Sequence, residues 1–251
     1  MRVLCIIPAR YASTRLPGKP LRDIAGLPMI RRVYERASQA QRLETVLVAT
    51  DDERIYDAVL RYGGKSMMTA KTHPTGTDRL AEAAMAYPEM DLVINVQGDE
   101  PLIEPSLIDD LAGLFEDAPD LQMATVMTEM KDEEEAKNPN NVKVVTDAAG
   151  YALYFSRSLL PYPRNPGKVP VYKHIGIYAY RRDFLLRFAK LSPTPLEQAE
   201  SLEQLRALEN GYRIRVLKTD CRFVGVDTEE DLALVNRIYR EMDEGKAGKV
   251  K

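Results

Sequence analysis

The sequence predicts an α/β protein: a doubly wound, mostly parallel sheet with a β-rich module inserted in its second half. Three observations predict it. Residues 3–7, 45–50 and 92–96 are short, continuous, apolar runs that read as strands buried on both faces, as in parallel sheets. Amphipathic segments separate them, and strand, helix, strand, helix in that order implies crossovers onto a single sheet. From Gln122 the rhythm changes to strand pairs around a turn, Asp147-Ala148-Ala149-Gly150, the chemistry of a β-hairpin.

A chain of 251 residues can be one large α/β domain, or one domain with an insertion, and buries an ample core either way. Apolar content of 45% with 29% charged residues is that of an ordinary globular protein rather than a disordered one. The formal charge of -3 offers no broad attraction for nucleic acid or anionic lipid, so neither is expected as a partner. Cys5 and Cys221 are too few for a metal framework and read as reduced thiols. With a strand starting at residue 3 and no run of about 18 apolar residues, neither a signal peptide nor membrane insertion is expected. The expected location is the cytoplasm.

Pro8 is expected to end the first strand, and the loop that follows carries Arg10, Arg15, Lys19 and Arg22 with no acid before Asp23. Cations gathered at the carboxyl end of a buried strand call for an anion, because open α/β sheets bind ligands there. Lys19 precedes Pro20, not Ser or Thr, which excludes a Walker A loop, and the chain has no G-x-G-x-x-G spacing for a dinucleotide. Pro8, Pro17 and Pro20 stiffen the loop. Pinned cations suit a polyphosphate.

Further elements follow in order. Pro28 suits a first helical turn, and the apolar spacing continues to about Ala40. Asp51 or Asp52 caps a helix that stops at Gly63-Gly64, and residues 65–69 form a short third strand. Thr75-Gly76-Thr77-Asp78-Arg79 opens the next helix, where Thr75 or Thr77 can cap it or touch a ligand. Residues 92–96 run into Gln97-Gly98-Asp99-Glu100-Pro101. A carboxylate at a strand end beside a glycine is placed to hold magnesium, or to cap a helix that Pro101 and Pro105 delay.

Residues 106–116 read as an amphipathic helix, 122–127 as a strand, and the acidic run in 131–137 as a solvated helix face. Two strands, 142–146 and 151–156, flank the hairpin turn, and Arg157 leaves the second as a lone cation able to pair with a carboxylate. A Pro-rich, lid-like loop at 162–171 precedes a strand at 172–180 whose alternation puts His174 and Tyr178 on one face and Ile175 and Ile177 on the other. The helix from 196 places Glu203 and Gln204 beside a leucine stripe. Residues 213–217 form the last long strand, Phe223-Val224-Gly225-Val226-Asp227 repeats the pattern of apolar strand end, Gly and Asp, and Thr228 with Asp231 makes a capping box. Residues 243–251 are expected to fray.

The stretch Ile7-Pro8-Ala9-Arg10-Tyr11-Ala12-Ser13-Thr14-Arg15-Leu16-Pro17-Gly18-Lys19-Pro20-Leu21 resembles the signature of the 3-deoxy-manno-octulosonate (Kdo) cytidylyltransferases. Five further segments, around residues 75–79, 97–101, 141–157, 174–178 and 202–206, resemble that family too, as does the Asp227 corner. The resemblance implies a nucleotide-diphospho-sugar transferase (glycosyltransferase-A-like) fold forming a single domain over 1–251. Within it, residues 122–180 would be the dimerisation and sugar-binding module.

The implied activity joins CTP to Kdo, giving CMP-Kdo and pyrophosphate for lipopolysaccharide, with magnesium and a homodimer. Arg10, Arg15 and Lys19 would hold the triphosphate, Arg10 and Lys19 acting in catalysis, and Thr75, Gly76, Thr77 and Arg79 would help hold the nucleotide. Asp99 and Asp227 would hold the metal. Gln97, Arg157, His174, Tyr178, Glu203 and Gln204 would contact the sugar acid. Transfer to 8-amino-Kdo or a sialic acid, or a non-catalytic nucleotide-binding regulator, are the alternatives.

Overall fold

Each buried run of the sequence becomes a strand of one large sheet. The computed structural model describes residues 1–12, 16–116, 118–165, 167, 169–221 and 223–247. The first half alternates as expected: β1 (Val3–Ala9), the short β2 (Asp23–Ile24) and β3 (Leu27–Pro28), α1 (Met29–Ala37), β4 (Thr45–Thr50), α2 (Glu53–Arg61), β5 (Ser66–Met68), α3 (Gly76–Met85), β6 (Leu92–Asn95) and α4 (Pro105–Gly113). The second half comprises β7 (Met123–Met130), α5 (Glu133–Lys137), β8 (Lys143–Thr146), β9 (Ala152–Ser156), β10 (Val171–Arg181), α6 (Arg182–Phe188), α7 (Pro195–Glu200), α8 (Gln204–Glu209), β11 (Ile214–Lys218) and α9 (Glu229–Ala247).

The sheet runs β11-β7-β10-β6-β1-β4-β5, and β10 is antiparallel to both neighbours while the other pairs along the path are parallel. Alternation along β1 sends Val3, Cys5 and Ile7 into one core, with α1, α2, α4 and α9. Leu4 and Ile6 enter the other, with α3, α6 and α8. Covered on both faces, the strand has no place for polar residues, which is why its sequence is an unbroken apolar run.

Three expectations change. Pro8 does not end β1, because Pro8 and Ala9 still pair with Ala49 and Thr50 of β4. The Ile6 carbonyl accepts from Val96 on the β6 side, so Pro8, two residues on, turns its nitrogen to that same side, where β6 has already stopped at Asn95. No ladder bond is lost. The expected strand end at 223–227 is an irregular segment instead, hung on the turn that follows β6 by the Val226 amide donating to the Asp99 carbonyl at 2.9 Å. Helix α9 continues to Ala247, past the point where fraying was expected, and 248–251 lie outside the described residues.

Within 122–180, β7 and β10 are integral members of the main sheet, whereas β8 and β9 form a hairpin that joins it through β10. Opposite β7, β10 carries a bulge between Ile175 and Tyr178. Such irregularities re-aim side chains. Ile175 and Ile177 enter one core, while His174 and Tyr178 meet on the other face with rings 5.5 Å apart, as the alternation predicted.

Candidate active site

The carboxyl ends of β1 and β6 lie side by side and open into a cleft of about 360 Å³ lined by Arg10, Lys19, Gln97, Asp99 and Asp227. A larger hollow of about 650 Å³ lies along α9, but it is lined by none of the predicted residues. Gly98 allows the close approach: a Cβ there would stand 2.8 Å from the Pro8 carbonyl oxygen. Lys19 comes from a one-turn 3-10 helix, Lys19–Leu21, entered through Gly18 at φ 65°, a left-handed conformation that suits glycine.

Lys19 Nζ donates to Asp99 at 2.6 Å and to Asp227 at 3.0 Å. Burial works against the ammonium, yet the two carboxylates hold its pKa above the ordinary lysine value. Glu100, next to Asp99, has its carboxyl pushed up to about 8 by burial first and by the Asp99 and Asp227 charges after it. Its Oε1 would lie 3.1 Å from a Cβ placed on Gly225, so it packs under the segment that carries Asp227. Sequence reasoning passed Glu100 over, since nothing in an Asp-Glu pair says which acid turns inward.

Arg10 is at the lip of the cleft, where Nη2 donates to the His73 carbonyl at 3.1 Å. Arg15 lies outside the described residues. Thr75 is the N-cap of α3, in a capping box with Asp78, so the capping alternative describes it. Gly76 opens that helix. Arg79 is fully buried, donates to Asp51 Oδ2 at 2.8 Å and also bonds the Thr69 hydroxyl. That corrects its expected contact with nucleotide: its guanidinium points into the protein, tying α3 to the end of β4.

Among the residues expected to meet the sugar, Gln97 Nε2 donates to the Gly176 carbonyl at 3.1 Å in the β10 bulge. Tyr178, half-buried, pairs with Asn95 at the end of β6, and burial raises its phenol above the ordinary range. His174 is buried between Phe155 and Tyr178, and burial lowers its pKa to about 3. It is therefore a neutral ring. Thr125 Oγ1 donates to the Ile177 carbonyl at 2.8 Å, so it accepts from His174 Nε2 at 2.9 Å, which makes Nε2 the protonated nitrogen.

Glu203 Oε2 accepts from the Thr77 hydroxyl at 2.6 Å, and burial raises its pKa. Glu203 Oε1 accepts no hydrogen bond, its nearest cation being Arg206 Nη2 at 3.4 Å, and Gln204 Nε2 is buried without a hydrogen-bond partner; such atoms cost stability unless something pairs with them. Arg157 departs from expectation. Its guanidinium donates to the carbonyls of Glu200, Pro139 and Ser201 at 2.7, 3.1 and 3.4 Å, so main-chain oxygens occupy the side chain expected to grip a carboxylate.

Comparison with known proteins fits this geometry. The sequence profile of the family described as Cytidylyltransferase matches residues 4–214. A 3-deoxy-manno-octulosonate cytidylyltransferase from Fusobacterium nucleatum subsp. nucleatum is 54% identical over 96% of this chain and 98% of its own. The chain belongs to the 3-deoxy-manno-octulosonate cytidylyltransferases. A solved structure of CMP:2-keto-3-deoxy-manno-octonic acid synthetase, complexed with CTP, superposes with a TM-score of 0.92 at 47% identity, covering 96% of this chain and all of that one. The 4-diphosphocytidyl-2C-methyl-D-erythritol synthase of Anaerococcus prevotii matches at TM-score 0.64 with 15% identity, over 95% of this chain and 96% of its own. That likeness shows a shared fold. Among the described residues no helix is long and apolar enough to cross a membrane.

Proposed function

We propose that this chain transfers CMP from CTP to the 2-hydroxyl of Kdo, releasing pyrophosphate, in the cytoplasm. The observation that carries the reading is the pair of carboxylates, Asp99 and Asp227, that share one cation at the strand-end cleft. Among the described residues no three acids, histidines or cysteines converge into a closed metal cage, which suits magnesium, commonly held by one or two carboxylates plus substrate phosphates. Lys19 stands where a cation is already accommodated, and those two acids would hold the metal. Bound there, magnesium would polarise the α-phosphate and favour ionisation of the attacking hydroxyl.

The chain's own groups position the reactants. Arg10 and Lys19 neutralise charge on the triphosphate and the departing pyrophosphate, work done by placement rather than covalent chemistry. Gln97, Tyr178, Glu203 and Gln204 orient the sugar acid so that its hydroxyl approaches the α-phosphorus in line with the leaving oxygen. Neutral His174 braces the sugar wall as a donor to Thr125 and takes no proton from the substrate. The oxygen of the hydroxyl forms the new bond to phosphorus, its proton passes to solvent, and pyrophosphate takes the electrons of the broken bond.

A second copy of the chain is part of the proposal. Leu153 on β9, Tyr162 and Leu196 expose 62%, 83% and 42% of their surface, apolar area that a homodimer would cover. The test is pyrophosphate release from CTP and magnesium with Kdo, 8-amino-Kdo, a sialic acid or no acceptor. Release with Kdo is the expected result. Release with another acid alone would keep the nucleotide chemistry and overturn the sugar assignment, and CTP binding without release from any acceptor would make the chain a regulator.

A further inference from the structure

Between α7 and α8 the chain turns a tight corner at Ser201, whose φ of 52° and ψ of 51° are left-handed. Glycine or asparagine normally ends a helix this way, because a Cβ crowds the backbone there. The Ser201 and Leu202 amides both donate to the Glu197 carbonyl, so the corner stays closed within its own backbone. Just beyond it come Glu203, whose buried Oε1 accepts no hydrogen bond and lies 3.4 Å from Arg206 Nη2, and Gln204, whose buried Nε2 has no hydrogen-bond partner. Gln204 is only 4% exposed. Thr77 holds Glu203 Oε2 from α3 at 2.6 Å, while the backbone from which both side chains leave follows directly from the corner.

The corner is anchored from the end of β9. Arg157 Nε donates to the Glu200 carbonyl at 2.7 Å and Nη2 to the Ser201 carbonyl at 3.4 Å. The Glu200 carboxylate answers in the other direction, accepting from Ser156 Oγ at 2.6 Å and from the Arg157 amide at 2.9 Å. Lys143, fully buried, donates to the Arg157 carbonyl along with those of Asn138 and Asn141. Within α7 and α8, Arg206 holds Glu197 at 2.7 Å, which joins the helices to each other but not to the hairpin.

We infer that Arg157 is a positioning residue: it holds the strained Ser201 corner in the left-handed form and so aims Glu203 and Gln204 at the acidic sugar. The inference rests on the sugar reading proposed above. It replaces a direct grip on the sugar carboxylate by an action through two backbone carbonyls. An arginine suits the task because its rigid fork reaches several carbonyls at once, which an ammonium does not reproduce.

The test separates these roles with a second substitution at the strained residue itself. Arg157→Met should raise the KM for Kdo by about tenfold while kcat and the KM for CTP stay within about twofold. Amide exchange over residues 201–206 should quicken in the same variant without ligand. Adding Ser201→Gly, which removes the Cβ crowding, should return both readouts most of the way, to within about threefold of the parent KM. A direct sugar contact gains nothing from that glycine, so a raised KM with no recovery overturns the inference, as does an unchanged KM in Arg157→Met. Should Arg157→Met fail to fold, Arg157→Lys with and without Ser201→Gly gives the same comparison. Glu203→Gln with an unaltered KM for Kdo would sink the sugar reading itself, while faster exchange in Arg157→Met reversed by the glycine would still report on the corner.

Discussion

Lys19 and Asp227 meet at 3.0 Å although 208 residues separate them in the chain, and Asp99 reaches the same ammonium at 2.6 Å. The lysine is thus the counter-ion of the carboxylate pair in the protein without ligands. Lys19→Met should lower metal-free stability by about 1 kcal/mol, since two acids then face each other, partly screened by solvent. Magnesium should raise the melting temperature of the variant more than that of the parent. Thermal scans with and without magnesium check this, and an equal rise in both would remove the carboxylates as a cation site.

The aspartates themselves are half open to solvent, with side chains 32% and 48% exposed. Asp99→Asn and Asp227→Asn should each reduce turnover by about a hundredfold or more, while urea midpoints shift only slightly. Near-normal turnover in either variant would end the metal assignment.

Arg79 makes the opposite prediction. It is fully buried against Asp51, whose side chain is 19% exposed, so Arg79→Leu strands a carboxylate in the interior and should cost about 3 kcal/mol in chemical denaturation. In the protein that still folds, the KM for CTP should stay within about twofold of the parent. A large rise in that KM with unchanged stability would return Arg79 to the nucleotide.

His174 couples stability to pH. Its pKa of about 3 in the folded protein lies below the ordinary 6.5, so the unfolded chain binds the extra proton. Stability from this residue is complete above pH 6.5 and falls as pH drops toward 3, by up to about 1.4 kcal/mol per unit. His174→Gln should flatten that part of the stability curve relative to the parent. Identical slopes in both proteins would mean that His174 is protonated in the fold.

Position 98 is held to glycine by contact with the backbone. A Cβ at 2.8 Å from the Pro8 carbonyl cannot be relieved by a rotamer change. Gly98→Ala should therefore cost about 1–3 kcal/mol and should also weaken magnesium-dependent turnover, because Asp99 moves with the backbone. Unchanged turnover and stability would show the two strand ends to be freer than they are drawn together here.

The legible features were those written locally. Periodicity gave β4 its full extent at Thr45–Thr50, and Thr75, one of two candidates, proved to be the cap of α3. Asp52, one of two candidates, proved to be the cap of α2. What failed needed partners distant in sequence. Pro8 stays in its strand because β6 is already finished beside it, and Arg157 and Arg79 point inward because carbonyls and a carboxylate from other elements await them. A lone arginine at a strand end reads the same whether its partner is a ligand or the protein.

By itself, the sequence determined the strand and helix order, the basic turn after β1, the aspartates at 99 and 227, and the family to which the chain belongs. These depend on residue identity and spacing along the chain, which side-chain size and backbone preference convert directly into local structure. Only the tertiary structure decided that Lys19 lies between the two aspartates, that Glu100 packs beneath them, and that β10 runs against its neighbours between β6 and β7. Charge interactions and sheet order act through space, falling off over a few ångströms, so they become definite only when chain closure brings residues such as 19, 99 and 227 together.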